Sequence, residues 1–278
     1  MIVVTGARGQ VGSQVYAQLE ALGADTLPVA RSEGRTPSGR PYYVGDLDAP
    51  DSLAGALDLA EAVFLYPNFD HRFAELLAGS GVRRVVLLSS SWVEVKPGSL
   101  IGAKHRAAED LLRETGLPFT LLRPDTFMTN DHFWLSEIAH GTLGTAFPDA
   151  LTAPIACADI AAVAVAALRD GTFENESLLL TGDEELSQRF RLEAVAARLG
   201  VPVTLDVLDE DEMLRRYARY MPEPVAEDMI DGMRKSLAAP LARAGGFARA
   251  TGRPALRYRD WLISEESRFV PRGVTAGV

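Results

Sequence analysis

The chain has very few residues of the kinds that form covalent or metal cross-links. It contains one cysteine, Cys157, and four histidines in 278 residues, which excludes an intramolecular disulfide framework. The histidines are scattered and form no His-Glu-x-x-His motif, so we predict no metal site.

Long apolar runs and an excess of positive charge are also missing. No segment approaches the ~20 consecutive apolar residues that a membrane-spanning helix needs, and no basic leader precedes the short apolar run Ile2–Thr5. The formal net charge of −10 argues against nucleic acid or an anionic membrane as the main partner. Because 47% of the residues are hydrophobic, a sizeable core can form. We expect a soluble cytoplasmic protein, monomer or homodimer, that acts on a small molecule.

Short apolar runs, often β-branched, alternate with helical segments in the first half of the chain. The predicted strands are Ile2–Thr5, Thr26–Ala30, Tyr42–Val44, Ala62–Tyr66, Arg84–Leu88 and Phe119–Arg123. The predicted helices are Ser13–Leu22, Asp51–Leu57, Phe69–Ala78 and Lys104–Thr115. This alternation predicts an α/β fold with a doubly wound parallel sheet.

After Pro124 the rhythm changes, and residues 125–278 are predicted to form a smaller, mostly helical lobe with some segments that return to the sheet. Asp159 is expected to be the N-cap of a helix that runs to about Arg169. Further helices are predicted at Leu192–Leu199 and around Asp209–Tyr220.

Three glycines near the amino terminus form the clearest local motif. The stretch TGARGQVG places Gly6, Gly9 and Gly12 between a strand and a helix of one βαβ unit. The first glycine permits a tight turn, and the later ones permit close approach of a phosphate and helix–strand packing. A pyrophosphate would bind the amide groups at the positive end of the helix. A purely structural turn is the alternative. The predicted dinucleotide contacts in this stretch are Thr5, Gly6, Arg8, Gly9, Gln10, Val11 and Gly12.

The end of the second predicted strand indicates which dinucleotide binds. An NAD site usually has an acidic residue there for the ribose 2′-hydroxyl, whereas this strand ends in Arg31 and Ser32. A guanidinium group matches a phosphate in charge and geometry, and Arg8 adds a second one. We therefore favour NADP(H) over NAD(H). The alternative for Arg31 is a solvated loop arginine near Glu33.

Two other strand ends supply further predicted cofactor contacts. Asp46 follows the third strand, where its carboxylate could accept the adenine amino group, with Leu47 beside it; Asp46 is alternatively a turn residue. Leu65 and Tyr66 end the fourth strand at the carboxyl edge, where the crevice of a doubly wound sheet opens.

Eight stretches carry a family resemblance, in order, over nearly the whole chain: TGARGQVG, VARS, GDLDAPDSL, VVLLSSS, HRAAEDLLRETGLPFTLLRPDTFMTN, ADIAAVAVAAL, LLLTGDEELS and TGRPALRYRDWL. On these residues the chain resembles the NmrA-like, atypical branch of the short-chain dehydrogenase/reductase superfamily. Within it, the resemblance is closest to type-2 NAD(P)H quinone oxidoreductases and triphenylmethane reductase. It implies a Rossmann-like NAD(P)-binding domain over residues 1–124 and a substrate-binding lobe over residues 125–278.

The catalytic positions depart from the superfamily pattern, which has a serine after strand five and Tyr-x-x-x-Lys on the next long helix. The alignment implies Ser91 as the catalytic serine, Ser89 as a cofactor contact and Ser90 as a substrate contact. Alternatively, these serines only satisfy backbone groups where the strand ends.

The position of the superfamily lysine falls on His105, with Ile101 where the tyrosine would be. A shift by one residue gives Lys104 with Leu100. Neither register supplies the tyrosine that donates a proton, and related quinone and dye reductases also have a histidine there. The resemblance implies that His105 holds the cofactor ribose or takes part in catalysis. An exposed ion pair with Glu109, four residues on, is the alternative.

An aromatic stretch follows the sixth predicted strand. The residues predicted to line a flat substrate pocket are Phe127, Met128, Asn130, Phe133 and Trp134, of which Asn130 matches a family asparagine. A core stripe is the alternative for the aromatic residues.

The leading hypothesis is an NADPH-dependent oxidoreductase that reduces a flat, electron-poor small molecule such as a quinone. The cofactor carries the hydride chemistry, and a delocalised phenolate product tolerates the missing tyrosine. Two alternatives remain: an NADP(H)-binding redox sensor that regulates a partner without turnover, and a secondary-metabolite tailoring enzyme that acts without net redox.

Overall fold

The computed structural model describes residues 1–238 and 244–264, which divide into two compact units. The first unit contains Met1–Asp125, Cys157–Leu180 and Ala244–Arg253. The second lies within the bounds Thr126–Ala156, Thr181–Arg243 and Pro254–Val278. The chain therefore leaves the first unit after Asp125 and returns to it twice.

The strands and helices are as follows. The strands are β1 Ile2–Val4, β2 Thr26–Ala30, β3 Tyr43–Val44, β4 Ala62–Leu65, β5 Arg84–Leu88, β6 Phe119–Pro124, β7 Thr142–Thr145, β8 Leu151–Thr152, β9 Glu176–Leu180, β10 Leu186–Ser187 and β11 Thr204–Val207. The helices are α1 Gln10–Ala21, α2 Ala54–Leu57, α3 His71–Ala78, α4 Trp92–Val95, α5 Leu100–Glu114, α6 Leu135–Ala139, α7 Cys157–Asp170, α8 Gln188–Leu199, α9 Glu210–Tyr217, α10 Glu223–Ala238, α11 Gly246–Thr251 and α12 Tyr258–Ser264. Short 3₁₀ helices span Pro50–Leu53 and Met128–Trp134.

The first unit is built on a parallel sheet with the strand order β3-β2-β1-β4-β5-β6-β9. All neighbouring pairs are parallel, which confirms the predicted doubly wound α/β fold. The six strands predicted for the first half are present, each within one residue of its predicted ends. The order reverses between β1 and β4, so the crevice that binds ligands in such sheets opens at the carboxyl ends of these two strands.

The central strands are apolar because helices cover both faces of the sheet. In β4, Val63 and Leu65 belong to a core cluster that includes Leu57 of α2, Leu77 of α3 and Leu112 of α5. The residues between them along the strand point to the other face, where α7 lies against β4, β5 and β6 and packs on α1. This two-sided packing holds the carboxyl ends of β1 and β4 in fixed positions.

Helix starts were predicted less well than strands. Helix α5 begins at Leu100 rather than Lys104, because the Ser99 hydroxyl accepts the amide of Gly102 at 2.9 Å and acts as the N-cap. The prediction that Asp159 is an N-cap is wrong. Asp159 lies inside the first turn of α7, is buried, and accepts a hydrogen bond of 2.9 Å from Arg253.

The second unit is mostly helical, as predicted, with two small sheets. Strands β7 and β11 pair in parallel, and β8 and β10 pair antiparallel. One apolar cluster joins Met128, Leu192 and Trp261, and another joins Phe147, Met213 and Ile230. Within residues 1–238 and 244–264, no helix is both long and apolar enough to cross a bilayer.

Candidate active site

The glycine turn, residues 5–12, connects the end of β1 to the start of α1. Gly6 has a positive φ of 59°, which a residue with a Cβ rarely adopts. A Cβ on Gly12 would overlap the carbonyl oxygen of Gly6, so α1 can begin this close to β1 only with glycine there. Gly9 is the N-cap of α1 and offers no side-chain hydrogen bond. The first amide groups of the helix are therefore left to other acceptors.

Tyr66, the residue after β4, lies over the glycine turn. Its ring occupies the space that a Cβ on Gly6 would take, and its hydroxyl oxygen would be 2.7 Å from a Cβ on Gly9. The amide of Gly12 donates a hydrogen bond of 3.0 Å to this oxygen. Burial raises the pKa of Tyr66, so the phenol stays protonated at neutral pH. The close packing at Gly6 and Gly9 thus involves a protein ring as well as the turn itself.

The remaining predicted contacts near the turn differ in what they can offer a ligand. The Thr5 hydroxyl donates a hydrogen bond of 2.8 Å to the carbonyl of Phe64, which ties β1 to β4. Leu65 and Val11 are buried in the core, so only their backbone groups can face the crevice. Gln10 is exposed at the first position of α1.

Two guanidinium groups lie at the end of β2. Arg8 donates hydrogen bonds of 2.7 Å to the Ser32 hydroxyl and 2.6 Å to the Glu33 carbonyl, and its guanidinium carbon is 4.6 Å from the centre of the Tyr42 ring. Arg31 is exposed, and no hydrogen bond or ion pair joins it to another residue of the described chain. Arg8 is thus held in place, whereas Arg31 keeps its full capacity to bind an anion.

Asp46 and Leu47 follow β3 in a tight turn. The Asp46 carboxylate accepts the amide of Asp48 at 3.1 Å, and the backbone amide of Asp46 donates 3.0 Å to the Ser52 hydroxyl. Leu47 packs against the core cluster of the first unit. The side chain of Asp46 therefore stabilises the turn and keeps a second carboxylate oxygen for a ligand.

The serine edge, residues 89–91, follows β5, and its three hydroxyls have different partners. Ser89 is buried and donates 2.6 Å to Glu109. Ser91 is buried and donates 2.9 Å to Asp125. Ser90 is half-buried and accepts a backbone amide at 3.3 Å, while no acceptor within residues 1–238 and 244–264 receives its proton. Of these hydroxyls, that of Ser90 is the one available to a ligand.

Glu109 and Arg123 form a buried ion pair beside Ser89. Arg123 donates to both carboxylate oxygens of Glu109, at 2.8 Å and 2.5 Å, and Arg113 adds a bond of 3.0 Å. Arg123 also pairs with Glu94 of α4. Burial alone would raise the pKa of Glu109, but the hydrogen bonds from Arg123, Ser89 and Arg113 outweigh it and lower the pKa. Two strands and two helices are thereby joined at the serine edge, and no sequence pattern pointed to this network.

His105 lies half-buried in α5, with Nδ1 2.8 Å from the carbonyl oxygen of Ile101. Burial lowers the pKa of His105, so the ring is neutral at neutral pH, with Nδ1 donating and Nε2 left as an acceptor. The alternative of an exposed ion pair with Glu109 is wrong, because that carboxylate is buried and engaged by Arg123. Lys104 is exposed on the same helix.

The five residues predicted to line a substrate pocket belong to the second unit and do not share one environment. Met128 is a core residue, and Trp134 packs at the edge of the same cluster. Phe133 is 80% exposed. Asn130 is also exposed, and Phe127 is half-buried at the start of the 3₁₀ helix. The stretch therefore divides between core and surface.

A buried polar cluster in the second unit was missed at the sequence level. Asp131 accepts hydrogen bonds of 2.5 Å from Arg191 and 2.5 Å from Tyr258. All three side chains are buried, and the guanidinium of Arg191 lies 5.0 Å from the centre of the Trp134 ring. Burial raises the pKa of Asp131 against the attraction of Arg191. These residues are 60 and 127 positions from Asp131 in sequence, so no local pattern could have joined them.

Acidic, cysteine and histidine side chains are dispersed through the described residues. Among them, no group of three or more is arranged to hold a metal ion.

A family model described as NAD(P)H-binding matches residues 6–171. This range contains the glycine turn, the end of β2 and the serine edge. A relative from Streptomyces griseus subsp. griseus, named (4-alkanoyl-5-oxo-2,5-dihydrofuran-3-yl)methyl phosphate reductase, is 33% identical over 98% of this chain and 100% of its own. The NAD(P)H azoreductase of Xenophilus azovorans is 28% identical over 97% of this chain and 99% of its own.

A solved structure with a similar backbone is that of the NADPH-dependent quinone oxidoreductase QOR2 of Escherichia coli, complexed with NADPH. The TM-score is 0.78 at 20% identity, and the match covers 95% of this chain and 99% of that one. The similarity shows that the two chains have the same fold.

Proposed function

The chain belongs to the NAD(P)H-binding family of oxidoreductases, and from that premise we propose that it uses NADPH to reduce a small, electron-poor acceptor. The observation that carries the proposal is the glycine turn at the point where the strand order reverses, with Arg8 and Arg31 at the end of β2. Neither arginine is paired with a carboxylate in the described chain. Backbone amides for a pyrophosphate and cations for a 2′-phosphate are what NADPH requires.

Arg31 is the residue that we expect to favour NADPH over NADH. Its guanidinium is exposed and has no partner in the described chain, so binding a 2′-phosphate costs it no existing interaction. Arg8 has part of its hydrogen-bonding capacity committed to Ser32 and Glu33, which places a second positive charge close by. An acidic side chain that would favour the 2′-hydroxyl of NAD is absent from position 31.

Bound NADPH would supply a hydride, that is one proton with two electrons, and the acceptor would become an anion that needs a further proton. At the serine edge, the Ser90 hydroxyl is the group that can donate a hydrogen bond to that anion. Ser91 gives its proton to Asp125, so we assign it to positioning. Neutral His105 has an acceptor at Nε2 and cannot act as an acid without first taking a proton. The site therefore favours acceptors whose reduced anion is stable by itself.

The substrates named for the similar proteins are acceptors whose reduced anion is delocalised. In the compound named for the Streptomyces relative, the carbon–carbon double bond of a lactone is conjugated with two carbonyl groups. Hydride addition to such a bond gives an enolate delocalised over both carbonyls. A quinone gives a delocalised phenolate in the same way. Quinones and doubly activated alkenes are accordingly the substrate classes that we propose for this chain.

Two measurements on the purified protein test the proposal. Fluorescence titration should give a lower Kd for NADPH than for NADH, and oxidation of NADPH should depend on added quinone, azo dye or acyl-butenolide. Equal affinity for the two dinucleotides would remove the NADPH assignment. Tight NADPH binding without oxidation by any acceptor in the panel would contradict the reductase proposal and support the alternative of an NADP(H)-binding sensor.

A further inference from the structure

The hydroxyl of Tyr66 takes the place of a missing N-cap side chain. The residue before α1 is Gly9, which has no side chain to accept the amides of the first turn. The preferred N-cap residues are Ser, Thr, Asp and Asn, whose side chain accepts the amide two or three residues on. Here that amide belongs to Gly12, and it donates 3.0 Å to Tyr66, a residue 54 positions later in the chain. The cap therefore comes from the residue that follows the neighbouring strand β4.

The contact explains two of the glycines in the turn. The ring of Tyr66 fills the space of a Cβ at Gly6, and its hydroxyl would be 2.7 Å from a Cβ at Gly9. Either side chain would push the phenol away from the Gly12 amide. The glycines, the ring and the helix start are thus parts of one packed arrangement.

The hydroxyl of Tyr66 still has a proton to donate. It accepts the Gly12 amide at 3.0 Å, and within residues 1–238 and 244–264 it donates no hydrogen bond to another residue. Because burial raises the pKa of Tyr66, the proton stays on the oxygen over the physiological range. A hydroxyl that accepts a hydrogen bond becomes a better donor, and the positive end of α1 favours an anion at this point.

We propose that Tyr66 is a phosphate-binding and positioning residue: its hydroxyl accepts the amide of Gly12 and donates its proton to a phosphate oxygen of the dinucleotide's pyrophosphate. The inference rests on the proposed function, because it presupposes that a dinucleotide binds at the glycine turn. It assigns a side-chain donor to a group that backbone amides would otherwise bind alone.

The variant Tyr66→Phe tests the proposal, because it keeps the ring against Gly6 and Gly9 and removes only the hydroxyl. We expect the Kd for NADPH and for 2′-phospho-ADP-ribose to rise about 10- to 100-fold, the range for a hydrogen bond to a charged group. The Kd for 2′-AMP, which has no pyrophosphate, should change less than about twofold. Isothermal titration, with displacement for the weak ligand, measures all three.

Tyr16→Phe is the matched control. Its hydroxyl donates 2.5 Å to Glu20 on the same helix, so the substitution removes a tyrosine hydrogen bond from α1 away from the turn. The three dissociation constants should stay at their wild-type values. Incorporation of 4-aminophenylalanine at position 66 restores a donor and should recover most of the affinity lost in Tyr66→Phe.

The possible results separate this inference from the proposed function. If the wild type binds no dinucleotide, both are overturned. If the wild type binds NADPH and Tyr66→Phe binds it equally well or more tightly, the donor role alone is overturned. Weaker binding of all three ligands, with a lower melting temperature, would show a role only in holding the turn and would overturn the phosphate contact.

Discussion

The glycine turn and the serine edge lie at the carboxyl ends of the same sheet, but their polar groups are used in opposite ways. At the glycine turn, the Tyr66 hydroxyl retains a proton to donate, and at the end of the neighbouring strand β2 Arg31 has no partner in the described chain. At the serine edge, Ser89 donates to Glu109 and Ser91 donates to Asp125. The first region therefore presents polar groups to a ligand, whereas most hydroxyls of the serine edge form hydrogen bonds within the protein.

This difference suggests how work is divided between protein and cofactor. A protein that only has to bind and orient a reductant needs donors and cations where the reductant lies, and needs few acids where the acceptor lies. The serine edge then presents one hydroxyl to an acceptor, that of Ser90, which accepts the amide of Trp92 at 3.3 Å. Five substitutions, two of them with a matched control, can break or sharpen this comparison.

The largest expected effect is the loss of stability in Glu109→Gln, which changes the serine edge and leaves the glycine turn intact. Loss of the carboxylate leaves the buried guanidinium of Arg123 with the partly exposed Glu94 as its remaining counter-charge, so the free energy of unfolding should fall by about 2–4 kcal/mol, below the full cost of an unpaired buried charge. Urea denaturation of the wild type and the variant at pH 7 measures this difference in the free energy of unfolding. In the wild type, the lowered pKa of Glu109 means that this stabilisation is present above a pH of about 4.5, the carboxyl's unfolded-state pKa, and is lost as the pH falls through the lower native value.

Asp110→Asn is the matched control for that substitution. Asp110 is next along the same helix and pairs with Arg113 at 2.7 Å on the surface, so its loss should cost under about 1 kcal/mol. A similar cost for the two variants would show that the buried network does not hold the serine edge.

Arg31→Ala tests the proposed cofactor contacts at the end of β2. NADPH binding should weaken by about 1–3 kcal/mol, or about 5- to 150-fold in Kd, because a charge-assisted contact to the 2′-phosphate is lost. NADH binding should stay the same. Arg35→Ala is the control, since Arg35 is exposed in the same loop and donates 2.7 Å to the carbonyl of Gly39. Unchanged NADPH affinity in Arg31→Ala would show that Arg31 does not bind the 2′-phosphate.

Ser90→Ala and Ser91→Ala compare two neighbours of the serine edge. We expect Ser90→Ala to lower kcat about 10-fold, as for one hydrogen bond to a developing anion, with melting temperature unchanged. Ser91→Ala should instead lower the melting temperature, because Asp125 loses a donor, and should change kcat less. The reverse order of the two kcat values would restore Ser91 as the group that contacts the acceptor.

The smallest expected effect is on the pH dependence of stability in His105→Gln. Burial lowers the native pKa of His105 below its ordinary value of 6.5, so the unfolded chain binds more protons than the folded one below that pH. The wild type should therefore lose stability relative to the variant as the pH falls through 6.5 and on to the lower native pKa. The free energy of unfolding of both proteins should be measured between pH 5 and 8. The same pH dependence in the two proteins would contradict a half-buried, neutral imidazole.

The features that were predicted from sequence are those encoded by neighbouring residues. The apolar alternation marked the strands of the first half, and the spacing of Gly6, Gly9 and Gly12 marked the turn at the end of β1. The contacts that complete each region are long-range. Tyr66 meets Gly12 across 54 residues, and Tyr258 meets Asp131 across 127. No periodicity or turn pattern specifies such pairs, because each member by itself is compatible with many surroundings.

The central claim is that hydride transfer here proceeds without a strong protein acid, to acceptors that stabilise their own anion. The most direct measurement is a stopped-flow single turnover of the NADPH complex, mixed with a quinone, with a doubly activated alkene and with a simple ketone. We expect both activated acceptors to oxidise NADPH rapidly and the ketone to react about 10²–10⁴-fold more slowly, the contribution of general acid catalysis. Reduction of the ketone at a rate comparable to the quinone would contradict the account.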